Sequence, residues 1–360
     1  MKLETWIEDC RKQYREQGEK EKNRLFGFYE DAYKLRESDP ERALTILHQG
    51  IEWAELVEEP WWRLFYEKLE LDGQVHFQRD FRDTLDRAAR HAVEVRNPRF
   101  AGFPGRWSVE DTLLAVYLGI DAEGYAEAIR EILDAQEREI PQKPCVDRYM
   151  NLARRRTFLM LNGEWEEAQQ VSETEREVLA EEKYKKTAQH FLTFTYAALC
   201  EIAYRRKNWV HLAEFVDKGH EAARKAGHQC ELAEIEMWRA VEARYAGQEE
   251  VARRTLRDAA SRLEPLQMPP SQGYFAALFA YYELNDEALE MLQVCDEELA
   301  SIVDRGRLLQ ECRLRIERCR LLVKLHRSLE DDLDLAREAA MRVRFPEKYL
   351  KIIGRIVHGD

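Results

Sequence analysis

An all-α fold is predicted from three observations. Apolar residues recur three and four positions apart, as in "FLTFTYAALCEIAYRR" (191–206) and "WVHLAEFVDKGHEAARKAG" (209–227), with no convincing alternating run of strand type. Each of the ten prolines falls where that periodicity stops or restarts, as expected of a residue that breaks helix interiors but suits first turns. Charged residues make up 35 % of the chain and glycine is scarce, which favours long amphipathic helices over sheet.

The elements follow in order. Residues 1–37, with "RKQYREQGEKEKNR", are very polar and read as an N-terminal helical cap. In "SDPERALTILHQG" (38–50) Pro40 marks the start of a helix. "PWWRLFYEKL" (60–69) sets Trp61, Trp62, Phe65 and Tyr66 on more than one side of a helix. "GYFAALFAYYEL" (273–284) does the same with Tyr274, Phe275, Phe279, Tyr281 and Tyr282. Such helices are packed on several sides or keep an aromatic face for a partner. "RNPRFAGFPGRW" (96–107) is the longest connection of low helicity, and its Phe100, Phe103 and Trp107 either tuck between hairpins or hook a partner. "LNGEWEEAQQV" (161–171) reads as a joint, where Asn162-Gly163 breaks the chain and Trp165 and Ala168 begin a new apolar face. "YAGQEEVARRTL" (245–256) has the same arrangement around Gly247. Residues 306–327 and 329–344 form a less regular pair, and "PEKYLKIIGRI" (346–356) reads as a terminal capping helix.

With Ala168 as anchor, counterparts stand at Ala43, Thr84, Ala128, Leu212, Ala252 and Ala288, in steps of 41, 44, 40, 44, 40 and 36 residues. Seven residues past each anchor stand Gly50, His91, Ala135, Glu175, Gly219, Ala259 and Cys295, mostly small, as close helix packing requires. Together with "LNGEWEEAQQV", "YAGQEEVARRTLRDA" and "SDPERALTILHQG", this pattern resembles the tetratricopeptide repeat over roughly residues 25–300. The steps exceed the family's period of about 34 residues and fit its long-helix relatives. The resemblance implies a right-handed superhelical solenoid of about eight hairpins, continuous along the chain. Residues 1–37 would cap it, 38–304 form the array, and 305–360 supply the last hairpin and the capping helix.

Most chemistry is excluded. No phosphate-binding glycine loop, H-E-x-x-H or G-x-S-x-G occurs. The nine histidines are scattered, and His220 and His228 have no ligand partners at metal spacing, so neither a metal nor a cofactor is predicted. "LEDDLDLA" (329–336) offers Asp331, Asp332 and Asp334, which would suit an all-α terpenoid enzyme only with a second facing acidic motif. The first turn of a helix favours acids in any case. The seven cysteines, including Cys312 and Cys319 seven apart, lack disulfide or C-x-x-C spacing and read as buried reduced thiols. A net charge of −13 argues against general nucleic-acid binding. The charged N-terminus has no signal-peptide core, so a cytoplasmic location is expected without membrane insertion.

The resemblance also implies that first helices line a concave groove. Carried over residue by residue, the positions facing it include His76 and Phe77, Tyr117, Glu201, Tyr204 and Arg205, Arg244 and Tyr245, and Tyr281. Such a mixture of aromatic anchors, arginines and acids suits an extended or helical peptide. The expected function is therefore non-catalytic: an adaptor or regulatory subunit binding another protein or peptide. A regulator whose superhelix is gated by a small effector or signal peptide is the alternative.

Overall fold

The computed structural model describes residues 3–36, 38–76, 81–140, 146–180, 185–227, 229–263 and 270–358. Among these residues the backbone forms eighteen α-helices, one 3₁₀ turn and no strand, and no helix is long and apolar enough to cross a membrane. The expected all-α class therefore holds. The helices pack in neighbouring pairs.

The chain divides into two compact units. The first comprises Met1–Ile120, Glu127–Ile132 and Asp304–Arg307, and the second Asp121–Ala126, Leu133–Val303 and Leu308–Asp360. The first unit carries α1 (Leu3–Glu16), α2 (Lys20–Leu35), α3 (Pro40–Leu56), α4 (Pro60–His76), α5 (Phe81–Val95), the 3₁₀ turn Pro98–Phe100 and α6 (Arg106–Asp121), while α7 (Ala126–Glu139) has residues in both. The second carries α8 (Val146–Asn162), α9 (Trp165–Leu179), α10 (Lys185–Arg205), α11 (Trp209–Ala226), α12 (Gln229–Tyr245) and α13 (Glu249–Leu263). It continues with α14 (Gln272–Glu283), α15 (Ala288–Ile302), α16 (Leu308–Lys324), α17 (Glu330–Arg342) and α18 (Pro346–His358).

The joint seen at Gly163 and Gly247 occurs seven times among the described residues. Gly18, Glu58, Gly163, Lys207, Gly247, Asp286 and His326 all lie in the left-handed region, with φ between 52° and 77°. Each donates its N–H to the carbonyl three residues back, and the next residue donates to the carbonyl five back, at 2.8–3.3 Å. This is the Schellman arrangement, which satisfies carbonyls left free at a helix C-terminus. It joins α1 to α2, α3 to α4, α8 to α9, α10 to α11, α12 to α13, α14 to α15 and α16 to α17.

From 163 the turn residues step by 44, 40, 39 and 40 to 207, 247, 286 and 326. The predicted register holds five residues past Gly163, Lys207 and Gly247, at Ala168, Leu212 and Ala252, which are all fully buried. It fails at Ala288, because five residues past Asp286 stands Met291. Between Glu58 and Gly163 the turn does not occur among the described residues, so Thr84 and Ala128 follow other connections. Ala43 follows the Asp39 cap, whose carboxylate accepts from Arg42 N–H at 3.2 Å ahead of Pro40. The regular joint thus lapses over the stretch where the two units part.

The small residues seven past the anchors have a steric cause. A Cβ at Gly219 would stand 2.8 Å from Ile235 Cδ1 and 3.0 Å from Tyr196 Cβ, and one at Gly50 would stand 2.9 Å from the Tyr66 ring. Cys200, Cys295, Cys312 and Cys319 are buried free thiols and Cys10 and Cys230 partly so, while Cys145 lies outside the described residues. The core of the first unit is aromatic: Trp6 and Phe26 lie 5.0 and 4.9 Å from Trp62, which is fully buried, and Phe65 packs beside them. In the second unit α12 packs against α10, α11, α13 and α14, and its Ile235, Met237, Trp238, Ala240 and Val241 are fully buried. Tyr274, Phe275 and Tyr281 of α14 are buried as well, so the aromatic helices are packed on several sides.

Candidate partner-binding strip

The Schellman turns of the second unit place equivalent residues side by side. Two residues before a turn residue stand Arg205 and Tyr245, and two residues past one stand Trp165 and Trp209. Arg205 of one hairpin lies over Trp165 of the preceding one, with 5.9 Å from its guanidinium carbon to the ring centroid. Tyr245 stacks on Trp209 of the preceding hairpin at 3.7 Å with the planes 10° apart. Arg206 adds an ion pair to Glu166 at 3.2 Å. Each rung joins neighbouring hairpins through a π face.

The rungs rest on a buried tier. The Tyr204 ring lies 5.7 Å from both Trp209 and Trp238, and its hydroxyl donates to Glu283 at 2.6 Å. Arg244 is 7 % exposed; it donates to the Tyr281 carbonyl at 2.9 Å, pairs with Glu287, and lies 4.0 Å over the Tyr281 ring. Tyr204, Arg244 and Tyr281, predicted as groove contacts, are therefore internal. The first helices α10, α12 and α14 pack on one another, and that burial removes those three side chains from any partner. Arg205 and Tyr245 remain available: Tyr245 is 53 % exposed, and Val210 beside Trp209 is 79 % exposed.

Glu201, half-buried on α10, pairs with Arg205 of the strip at 3.8 Å and lies near Glu234 of α12. Burial pushes its carboxyl up, against the pull of Arg205. Glu234 is pushed up to about 7 by burial, with Glu201 and Glu231 adding to the rise. The Ser271 hydroxyl, which donates to Glu234 at 2.6 Å, opposes it, as does the charge of Arg156. Deeper still, Arg156 pairs with the fully buried Glu175, which also accepts from Thr195 at 2.8 Å. Arg156 thus belongs to a core ion pair, and its neighbour Arg155 binds Asp134 and Glu137 at 2.8 and 3.0 Å.

The other predicted contacts lie in the first unit. Phe100 and Phe103 are buried, Phe103 lying 6.0 Å from Trp6 and 5.9 Å from Trp61, so the 96–107 connection tucks its rings inward rather than hooking a partner with them. Trp107 and Tyr117 are half-buried on α6. Phe77 and His228, and the His76 side chain, lie outside the described residues. The acidic run at 330–334 forms the first turn of α17, where Asp332 pairs with Arg318 and Asp334 with Arg337 at 2.9 Å. Among the described residues no group of three His, Cys, Asp or Glu side chains is placed to hold a metal. Sequence reading missed Trp165, Trp209 and Val210 as members of the strip; the position two past each turn was the available signal.

No family model, curated protein or solved structure matches this chain.

Proposed function

We propose that this chain is a protein-binding module, an adaptor or regulatory subunit, and that the turn-edge strip of Arg205, Trp209, Val210 and Tyr245 is its recognition surface. We further propose that hairpins α8–α9 through α16–α17 form a tetratricopeptide-like array, a reading supported by the recurrent turn and its regular step. The observation that carries the functional proposal is the stack of Tyr245 on Trp209: an aromatic side chain left more than half exposed yet held in one orientation. An anchor fixed in advance loses little conformational entropy on binding, and Tyr, Trp and Arg dominate the energetics of interfaces. Arg205 supplies a cation at the same edge, and Val210 an apolar contact. The predicted partner is an extended or helical segment of another protein.

The test is a photo-crosslinking amino acid at position 210, with a control at the equally exposed Val93, in the full chain in native lysate. A partner captured at 210 and not at 93, and lost in an Arg205→Ala/Tyr245→Ala variant, supports the proposal. Equal capture at both positions, or undiminished capture by the variant, removes the strip from the account. Tyr204 and Arg244 are unsuitable targets because their loss would damage the core.

A further inference from the structure

The second unit contains contacts that span most of its length. Arg313 of α16 donates to the Leu161 carbonyl at the end of α8, 2.7 Å away, and pairs with Glu123 at 2.5 Å. Lys348 of α18 reaches both oxygens of Glu123 at 2.9 and 3.0 Å. Asp121 is buried; one carboxylate oxygen accepts from Gly124 N–H at 2.8 Å and the other from Arg344 N–H at 2.9 Å. The Arg344 guanidinium donates to the Gly124 carbonyl at 3.1 Å and lies 5.5 Å over the Tyr125 ring. Gly124 fits this arrangement because a Cβ there would stand 2.4 Å from the Asp121 carboxylate and 2.7 Å from Arg344 Cβ.

These contacts differ in kind from those holding the hairpins. Helices α15 to α18 pack on their neighbours in sequence, and Leu309, Ile316, Leu321, Leu322, Val343 and Ile353 are buried. The contacts from Arg313, Arg344 and Lys348 to residues 121–125 and Leu161 are polar: ion pairs to Glu123, hydrogen bonds to Asp121, Gly124 and Leu161, and one cation–π contact to Tyr125. The Lys348 side chain is 58 % exposed and that of Arg313 38 %. Ion pairs between partly exposed charges are weak and screened by salt.

We infer that Arg313, Arg344 and Lys348 form an ionic clasp that closes the C-terminal helices onto Asp121, Glu123 and Gly124, and that the clasp opens without unfolding the hairpins it joins. In the open state α16–α18 keep their mutual packing while the Arg344 and Gly124 amides and the Glu123 carboxylate become free. An acidic segment of a partner, competing for the three cations, would open it as salt does. The clasp is thus a built-in point of control, independent of whether the turn-edge strip binds anything.

Hydrogen exchange read by mass spectrometry on the full chain tests this. Peptides covering 121–125 and 343–349 are compared with peptides covering the turn amides of Asn208 and Gln248. Raising sodium chloride from about 0.05 M to about 1 M should speed exchange of the clasp peptides alone, because screening shortens the reach of charges. The pair Asp121→Asn/Glu123→Gln should do so at low salt, by on the order of tenfold, the signature of a local opening. A charge swap, Glu123→Lys with Arg313→Glu and Lys348→Glu, should restore slow exchange where Glu123→Lys alone does not. Clasp peptides that keep their rate in salt and in the neutral pair would overturn the inference. So would clasp and turn peptides that accelerate together, since the contacts would then belong to the global fold.

Discussion

The recurrent turn makes a quantitative prediction because one geometry is built with different residues. Gly247 and Lys207 occupy the same position of two successive turns, at φ 74° and 55°. A Cβ added at Gly247 meets nothing within 4 Å, so Gly247→Ala introduces no clash and isolates the backbone term. The left-handed region costs a non-glycine residue roughly 1–2 kcal/mol. The stiffer unfolded chain of the alanine variant returns about 0.4–1 kcal/mol of that. Gly247→Ala should therefore lose about 1 kcal/mol. Lys207→Gly should gain a similar amount, because the lysine side chain makes no hydrogen bond or ion pair among the described residues and only the backbone strain is removed. Urea unfolding followed by far-ultraviolet circular dichroism measures both, with the midpoint moving in opposite directions at constant slope. A neutral Gly247→Ala, or a Lys207→Gly that destabilises, would refute the claim that these two turns are one structure.

Other expectations follow from the same geometry. Arg244→Ala should cost about 2–3 kcal/mol, because it leaves the Tyr281 carbonyl without its buried donor and removes the packing over the Tyr281 ring, whereas Arg205→Ala and Tyr245→Ala should stay within about 1 kcal/mol of wild type in the same melt. Burial pushes His91 down to about 4, aided by Arg63 and Arg87 and opposed by Glu94. Its unfolded form takes a proton first, so stability is complete above about pH 6.5 and falls by up to about 3 kcal/mol as pH drops towards 4; His91→Gln should flatten that slope. Gly219→Ala should destabilise by about 1–3 kcal/mol through overpacking against Ile235 and Tyr196, and Ile235→Val in the same background should recover part of the loss. Partial burial raises the Glu123 carboxyl, but hydrogen bonds from Lys348 and Tyr349 and the charge of Arg313 outweigh this and hold it below the usual range. The stability it contributes is present above the ordinary glutamate pKa and is lost as pH falls through its lowered one, which an acid titration of exchange at residues 343–349 would follow.

Much of this architecture was legible in the sequence, and the failures have causes. Three-and-four spacing gave the helices, and Gly163 and Gly247 gave two joints because glycine is the residue that enters the left-handed region without strain. Glu58, Lys207, Asp286 and His326 adopt the same conformation without that signature, so four of seven joints carried no glycine to mark them. That is why the register slipped from Met291 to Ala288. The candidate contacts Tyr204 and Arg244 are buried, while their neighbours Arg205 and Tyr245 are exposed. Tyr204 and Arg244 precede Arg205 and Tyr245 by one residue, and a rotation of about 100° on a helix separates the core from the surface. Nothing in a linear reading ranks those neighbours when α12 packs against four other helices. The clasp was invisible because Asp121 and Arg344 are ordinary residues 223 positions apart, and only the folded chain brings them together.

The rungs of the strip are unequal, and that inequality has a mechanical meaning. Arg205 meets Trp165 at the limit of a cation–π contact, Tyr245 lies flush on Trp209, and Arg244 ties the third hairpin to the fourth through a carbonyl, a carboxylate and a ring. Stiffness along this edge therefore rises from α8–α9 towards α14–α15. Under tension or torque the Arg205–Trp165 rung should part before the Tyr245–Trp209 stack, leaving the buried Thr195–Glu175 bond to hold the first two hairpins together.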